Sequence, residues 1–166
     1  MSKNTETVKV VVRARPMNKK EFDNGSSEIV TVDRQYSQII LQEQQSEKPR
    51  TFTFDSVYGG DSTQQEVYDE CGFGLVENVI EGYNGTMFAY GQTGCGKTHT
   101  MMGPSHPKGP EHVPEEDRGI IPKVIRHIFG FIDGAEKDTK FLVRCSYLEI
   151  YQEKVLDLLN FSKNKE

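Results

Sequence analysis

Gly91-Gln92-Thr93-Gly94-Cys95-Gly96-Lys97-Thr98 is an unbroken G-x-x-x-x-G-K-[ST] sequence. Dense negative charge, as on a phosphate chain, is held by many donors at close range. Glycines let backbone N–H groups turn inward, where a Cβ would clash. The pattern assigns Lys97 to the β- and γ-phosphates and the Thr98 hydroxyl to Mg²⁺. It also demands a strand before the loop and a helix after it, whose positive end faces the anion. Gly85-Thr86-Met87-Phe88-Ala89-Tyr90 reads as a buried strand, and Thr98 to Met102 can continue as a helix. Strand, loop and helix in that order predict an α/β fold of the P-loop NTPase type.

The rest of the chain narrows the setting. Its 166 residues suit one domain or a piece of a larger one. Apolar and aromatic residues suffice for a core, but no apolar run is long enough for a membrane span, and the N-terminus lacks a signal-peptide core. Cys71, Cys95 and Cys145 are odd in number and widely spaced, which favours reduced thiols in the cytoplasm over a disulfide frame or zinc site. His99, His106, His112 and His127 show no ligand spacing with them. A net charge of −5 argues against nucleic acid as a partner.

Residues 8–12 are a β-branched run that ends in Arg13-Ala14-Arg15-Pro16 and predicts a core strand. Residues 29–32 and 39–41 predict a hairpin, and Thr51-Phe52-Thr53-Phe54 a further strand. Thr63-Gln64-Gln65-Glu66 is a capping box. Behind it Val67, Cys71, Leu75 and Val79 recur every four residues and predict one helix ending at Gly82. With residues 85–90 this makes a strand–helix–strand unit, so a mostly parallel central sheet with helices on both faces is expected. Residues 103–119 hold four prolines and an acidic run and predict a surface loop. A second helix resumes at Ile121, with Pro122 in its first turn. Residues 141–151 predict a long strand, and 161–166 a frayed tail.

A hydrolysing P-loop enzyme needs a second acidic group near Mg²⁺, normally at a strand end. Asp33, Asp55, Asp133 and Asp157 are the candidates, and each sits where a cap, turn or surface carboxylate is expected. The strands are too few to cover a doubly wound sheet, so the chain reads as the N-terminal part of a larger domain.

The residues around the loop are more specific than the loop itself. Gly82-Tyr83-Asn84-Gly85-Thr86-Met87-Phe88-Ala89-Tyr90, continuing through the loop into His99-Thr100-Met101, resembles the kinesin motor-domain signature. Arg13-Ala14-Arg15-Pro16, Gly119-Ile120-Ile121-Pro122, Ser146-Tyr147-Leu148-Glu149-Ile150-Tyr151 and Val155-Leu156-Asp157-Leu158-Leu159 also resemble kinesin segments, in the family's order. The likeness covers about residues 7–160, and residues 141–151 are most similar to the kinesin-2 branch.

This resemblance implies that Arg13, Arg15 and Pro16 flank an adenine, with His99 on its other side. It implies that Gly91, Gln92, Thr93, Gly94, Cys95, Gly96, Lys97 and Thr98 hold the phosphates of ATP, with Mg²⁺ at Thr98. Lys97 and Thr98 would be the catalytic contributors, and residues 103–119 the family's variable loop. It further implies microtubules (tubulin) as the partner of the intact motor, dimerisation only through a stalk outside this chain, and a place on the cytoskeleton, including a cilium or flagellum. The family's N-x-x-S-S-R-S-H and D-x-A-G-S-E segments, which sense the γ-phosphate, do not occur in these residues. ATP turnover is therefore expected of the intact protein and not of this segment alone. Two other readings remain open: a naturally short, kinesin-derived nucleotide-binding protein without turnover, and another P-loop NTPase. A guanine-selective member of the latter would want an N-K-x-D element, which is absent.

Overall fold

The computed structural model describes residues 8–43, 46 and 48–160, so residue 7 and the tail expected at 161–166 lie outside it. The chain forms two units, one running through Phe129 and the other from Gly130.

In the first unit β1 (Val11–Arg13) pairs in parallel with β5 (Ser56–Tyr58), Val11 opposite Ser56 and Arg13 opposite Tyr58. The Asp55 carboxylate fastens the entrance by accepting from Val10 N–H at 2.6 Å. β2 (Val30–Asp33), β3 (Gln38–Leu41) and β4 (Arg50–Thr53) make an antiparallel sheet in the order β2-β3-β4. The hairpin expected from residues 29–41 is therefore present; its turn is closed by Asp33 Oδ1 accepting from Tyr36 N–H at 3.1 Å. A short helix, α1 (Lys19–Asp23), follows the Arg-x-Arg-Pro segment. Asn18 and Glu21 close it with a reciprocal capping box.

The helix expected behind Thr63 forms with an interruption. α2 (Gln64–Tyr68) passes through a π-helical turn, Asp69–Phe73, into α3 (Gly74–Ile80). Gly72 lies under the Tyr68 ring: a Cβ there would stand 2.7 Å from Tyr68 Cδ2. The wider π turn and the missing side chain together make room for that ring. The helix stops in a Schellman arrangement, Tyr83 N–H to Asn78 O at 2.9 Å and Gly82 N–H to Val79 O at 3.0 Å, with Gly82 at φ 100°.

α4 (Lys97–Met102) and α5 (Ile120–Asp133) flank residues 103–119, which contain two single 3₁₀ turns, Pro110–His112 and Glu115–Asp117. Gly119 N–H donates to Met102 O at 3.1 Å, so α5 starts where α4 ends. A Cβ on Gly119 would come within 2.5 Å of the Met101 carbonyl carbon. Tyr58, Val67 and Ile120 form a buried cluster, with Val11, Cys71, Met87, Met101 and Val124 packed against it. The core thus ties β1, β5, α2, α4 and α5 together.

Two expectations are corrected. A single, mostly parallel central sheet does not form among the described residues: there are three small sheets, and only β1–β5 is parallel. Residues 85–90 carry no strand. Apolar content marks what a segment can bury, but a strand also needs a neighbour for its N–H and C=O groups. Met87 reaches the core, whereas Phe88 is 75% and Tyr90 94% exposed.

In the second unit, the long strand expected over 141–151 is confined to β6 (Leu148–Tyr151). It pairs antiparallel with β7 (Lys154–Asp157) across a two-residue turn, Gln152 and Glu153 at φ 49° and 62°. Two adjacent residues with positive φ are what a tight hairpin of this twist requires; the expected end at Tyr151 holds, while residues 141–147 carry no strand, since a strand needs a neighbour for its N–H and C=O groups. Phe131 and Phe141 meet edge to face at 6.0 Å.

Candidate functional site

The phosphate loop is built by backbone conformation. Gly94 and Gly96 take φ of 79° and 102°, which a side chain would resist. Gly91 leaves space for Cys95: a Cβ on it would meet Cys95 Sγ at 2.6 Å. Gly96 precedes α4 and brings no side chain to cap its first N–H groups. Lys97 folds across the loop, donating to Gly91 O at 2.7 Å and Gln92 O at 2.8 Å. An ammonium has three donors. The remaining contact is Cys95 Sγ at 4.0 Å, too weak to compete with a phosphate oxygen. Thr98 is exposed on the first turn of α4, beside Lys97.

A cleft of about 420 Å³ runs from this loop to the Arg-x-Arg-Pro segment. Arg13, Arg15, Pro16, Gly94, Cys95, Gly96 and His99 all line it, so residues some eighty positions apart in the chain share one wall. Pro16 packs against Gly60, where a Cβ would stand 3.2 Å from the proline ring. A larger hollow of about 560 Å³, lined by Arg34, Tyr58, Glu66, Asp69 and Glu70 among others, gathers none of the residues expected at the site.

The two arginines act as clamps. Arg13 donates to Gln64 Oε1 at 2.9 Å, Thr100 Oγ1 at 3.1 Å and Ser62 O at 2.9 Å, joining β1 to α2 and α4. Burial lowers its pKa, with Glu66 and Tyr58 opposing. Arg15 donates from Nε to Gly94 O at 2.8 Å and holds Glu21 with both terminal nitrogens, at 2.8 and 2.5 Å. That fork, with the Asn18 backbone N–H, holds the Glu21 carboxyl at about 2, well below the usual 4.5. On the other side, burial and then Arg13 lower the His99 pKa, with Asp117 opposing.

Sequence reasoning missed Glu21 and Gln64. A signal existed for each: Glu21 is the third residue of the Asn18 capping box, and Gln64 is the first helical residue after Thr63. Their partners, distant in sequence for Gln64, gave no such signal. The four candidate carboxylates are otherwise engaged or placed: Asp33 and Asp55 as above, Asp157 Oδ1 accepts from Leu159 N–H at 3.0 Å, and Asp133 ends α5. Among the described residues no group of three or more His, Cys, Asp or Glu could hold a metal ion, and no helix is long and apolar enough to cross a membrane.

The chain matches the Kinesin motor domain family over residues 13–166. It is also similar to Kinesin-like protein KIF3C from Bos taurus, Pongo abelii and Mus musculus. Each is 44% identical over 167 residues, covering 99% of this chain and 20% of the relative. The chain therefore spans 20% of the length of the curated relatives it matches, and those relatives are of the kinesin-2 branch. A match over nearly all of its residues decides the matter: the chain belongs to the kinesin motor domain family, whose fold is that of the P-loop NTPases.

Proposed function

We propose that these residues form the ATP-gripping part of a motor that, intact, hydrolyses ATP to move along microtubules. The observation that carries this is the single cleft shared by the Lys97 loop and the Arg13–Pro16 segment. The donor set fits Mg-ATP: inward glycine backbone and one ammonium for the phosphates, a proline and a histidine for the base. Lys97 draws charge from the γ-phosphate, and Arg15, through Gly94 O, keeps the loop's shape constant as it does so. Bound Mg²⁺ would neutralise phosphate charge; Thr98 supplies a hydroxyl for it, and the ion's other ligands would be phosphate oxygens and water.

The groups that sense the γ-phosphate and position the attacking water are assigned to segments beyond these residues, so the segment alone grips ATP without turning it over. The tubulin contact is likewise assigned elsewhere, because microtubules are acidic and this chain carries −5. Dimerisation through a stalk outside this chain, and a cytoskeletal place in the cytoplasm or a cilium, belong to the same reading.

The test is Lys97→Ala in the intact protein, followed by fluorescent-ATP titration and by ATPase assay with and without microtubules. Loss of turnover of about 100-fold or more is expected, the scale of removing one preorganised donor. Near-normal turnover in the variant rejects the phosphate-loop assignment.

A further inference from the structure

Gln64 does not line the cleft; it lies behind the wall, 5% exposed, with its amide between Arg13 and His99. Arg13 Nη1 donates to Gln64 Oε1 at 2.9 Å. Gln64 Nε2 donates to His99 O at 2.7 Å and stands 3.4 Å from His99 Nδ1. A guanidinium offers only donors, so the amide oxygen must face it and the amide nitrogen must face His99. The His99 carbonyl, which only accepts, demands the same orientation. An N–H directed at Nδ1 requires a lone pair there, so the ring proton belongs on Nε2.

We propose that Gln64 is a positioning residue of the nucleotide site: its amide fixes the ring orientation and tautomer of His99 before nucleotide arrives. The effect on nucleotide rests on the ATP reading above; the effect on the ring does not. The platform is rigid for reasons visible in the chain. Gln64 is the first residue of α2, and the Thr63–Glu66 capping box pins the backbone on either side of it. Arg13 is in turn held by Ser62 O and Thr100 Oγ1, so the guanidinium that orients the amide is not free to turn away. The result is an imidazole that lines the cleft with its Nδ1 face already engaged and its Nε2–H available to a ligand. A base then meets a ring whose rotamer need not be frozen on binding, which is the usual way that preorganisation raises affinity.

The test has two independent arms in the intact protein. In the first, ¹⁵N-histidine-labelled, nucleotide-free protein is examined by long-range ¹H–¹⁵N correlation, with His99 assigned through His99→Gln. A bare Nδ1 and protonated Nε2 are expected, and Gln64→Glu should move the proton to Nδ1, because a carboxylate can only accept. A proton on Nδ1 in the wild type overturns the proposal. In the second arm, Gln64→Met keeps the volume and removes the bonds. KM for ATP should rise about tenfold, the scale of losing one or two net hydrogen bonds, with kcat within about twofold. A glutamine that only packs would lower thermal stability and leave KM unchanged, and that result also overturns the proposal. If Lys97→Ala binds ATP normally, the ATP reading fails, while the first arm still judges Gln64.

Discussion

Arg13 and Ile150 both lie on short strands, and the structure treats them in opposite ways. The Arg13 side chain bonds to Gln64, Ser62 and Thr100, partners 51, 49 and 87 positions away. Ile150, on β6, is 70% exposed, and every residue of β6 and β7 is exposed. One region is stitched by polar contacts that span the chain. The other is a hairpin whose backbone pairing is local to residues 148–157. An isolated hairpin is marginal in water. The wall of the cleft therefore owes its shape to contacts internal to the first unit, and the apolar side chains of the hairpin add little to stability while they face solvent.

Substitutions sharpen that contrast. The largest stability effect is expected at the core beneath the wall: Ile120→Ala, 5% exposed in the wild type, should cost about 2–5 kcal/mol in chemical denaturation. A cost below about 1 kcal/mol would mean that the cluster of Tyr58, Val67 and Ile120 does not organise the unit. A smaller, pH-dependent effect is expected at the exposed Arg15–Glu21 pair. The Glu21 carboxyl is held at about 2 in the folded protein against an ordinary 4.5, so its contribution is complete above 4.5 and disappears as pH falls through 2. The melting temperature of Glu21→Gln should therefore lie below wild type from pH 7 to 5, with the gap closing towards pH 2. A gap that widens on acidification breaks the assignment. The smallest effect belongs to the hairpin: Ile150→Ser should change stability by no more than about 0.5 kcal/mol. A larger loss would show that Ile150 is covered in solution and erase the contrast.

What the sequence revealed follows the range of each interaction. The glycine conformations of the loop and the Thr63–Glu66 box depend on residues a few positions apart, and both are as the pattern implied. The hairpin of β2 and β3 is equally local. The π turn at Asp69–Phe73 was invisible, because the apolar repeat of Val67, Cys71 and Leu75 keeps its spacing of four through it, and nothing local marks the room that Gly72 leaves for the Tyr68 ring. That ring's hydroxyl meets His127 Nδ1 at 2.8 Å, and the same imidazole stacks on Phe73 at 4.9 Å and reaches Glu77 at 2.8 Å. Gln64 and His99 are 35 positions apart, and nothing local announces their contact. Residues 85–90 differ in the opposite direction: an apolar strip predicts a paired strand, whereas Met87 reaches the core and Gly85 lies against Leu75 and Val79 without any strand pairing.

The junction of Gly103 and Gly119 has a practical consequence. Gly119 N–H bonds Met102 O, and the Gly103 backbone lies so near that a Cβ on Gly103 would stand 3.0 Å from Gly119 N. The chain leaves the end of α4 and enters the start of α5 at one step, as a railway siding leaves and rejoins its line. The length of the siding is then decoupled from the track, since doubling a flexible loop adds only about 0.6 kcal/mol of closure entropy. A reporter spliced at Lys108-Gly109 would leave the Gly103–Gly119 junction, and with it the register of Lys97 on α4, unchanged.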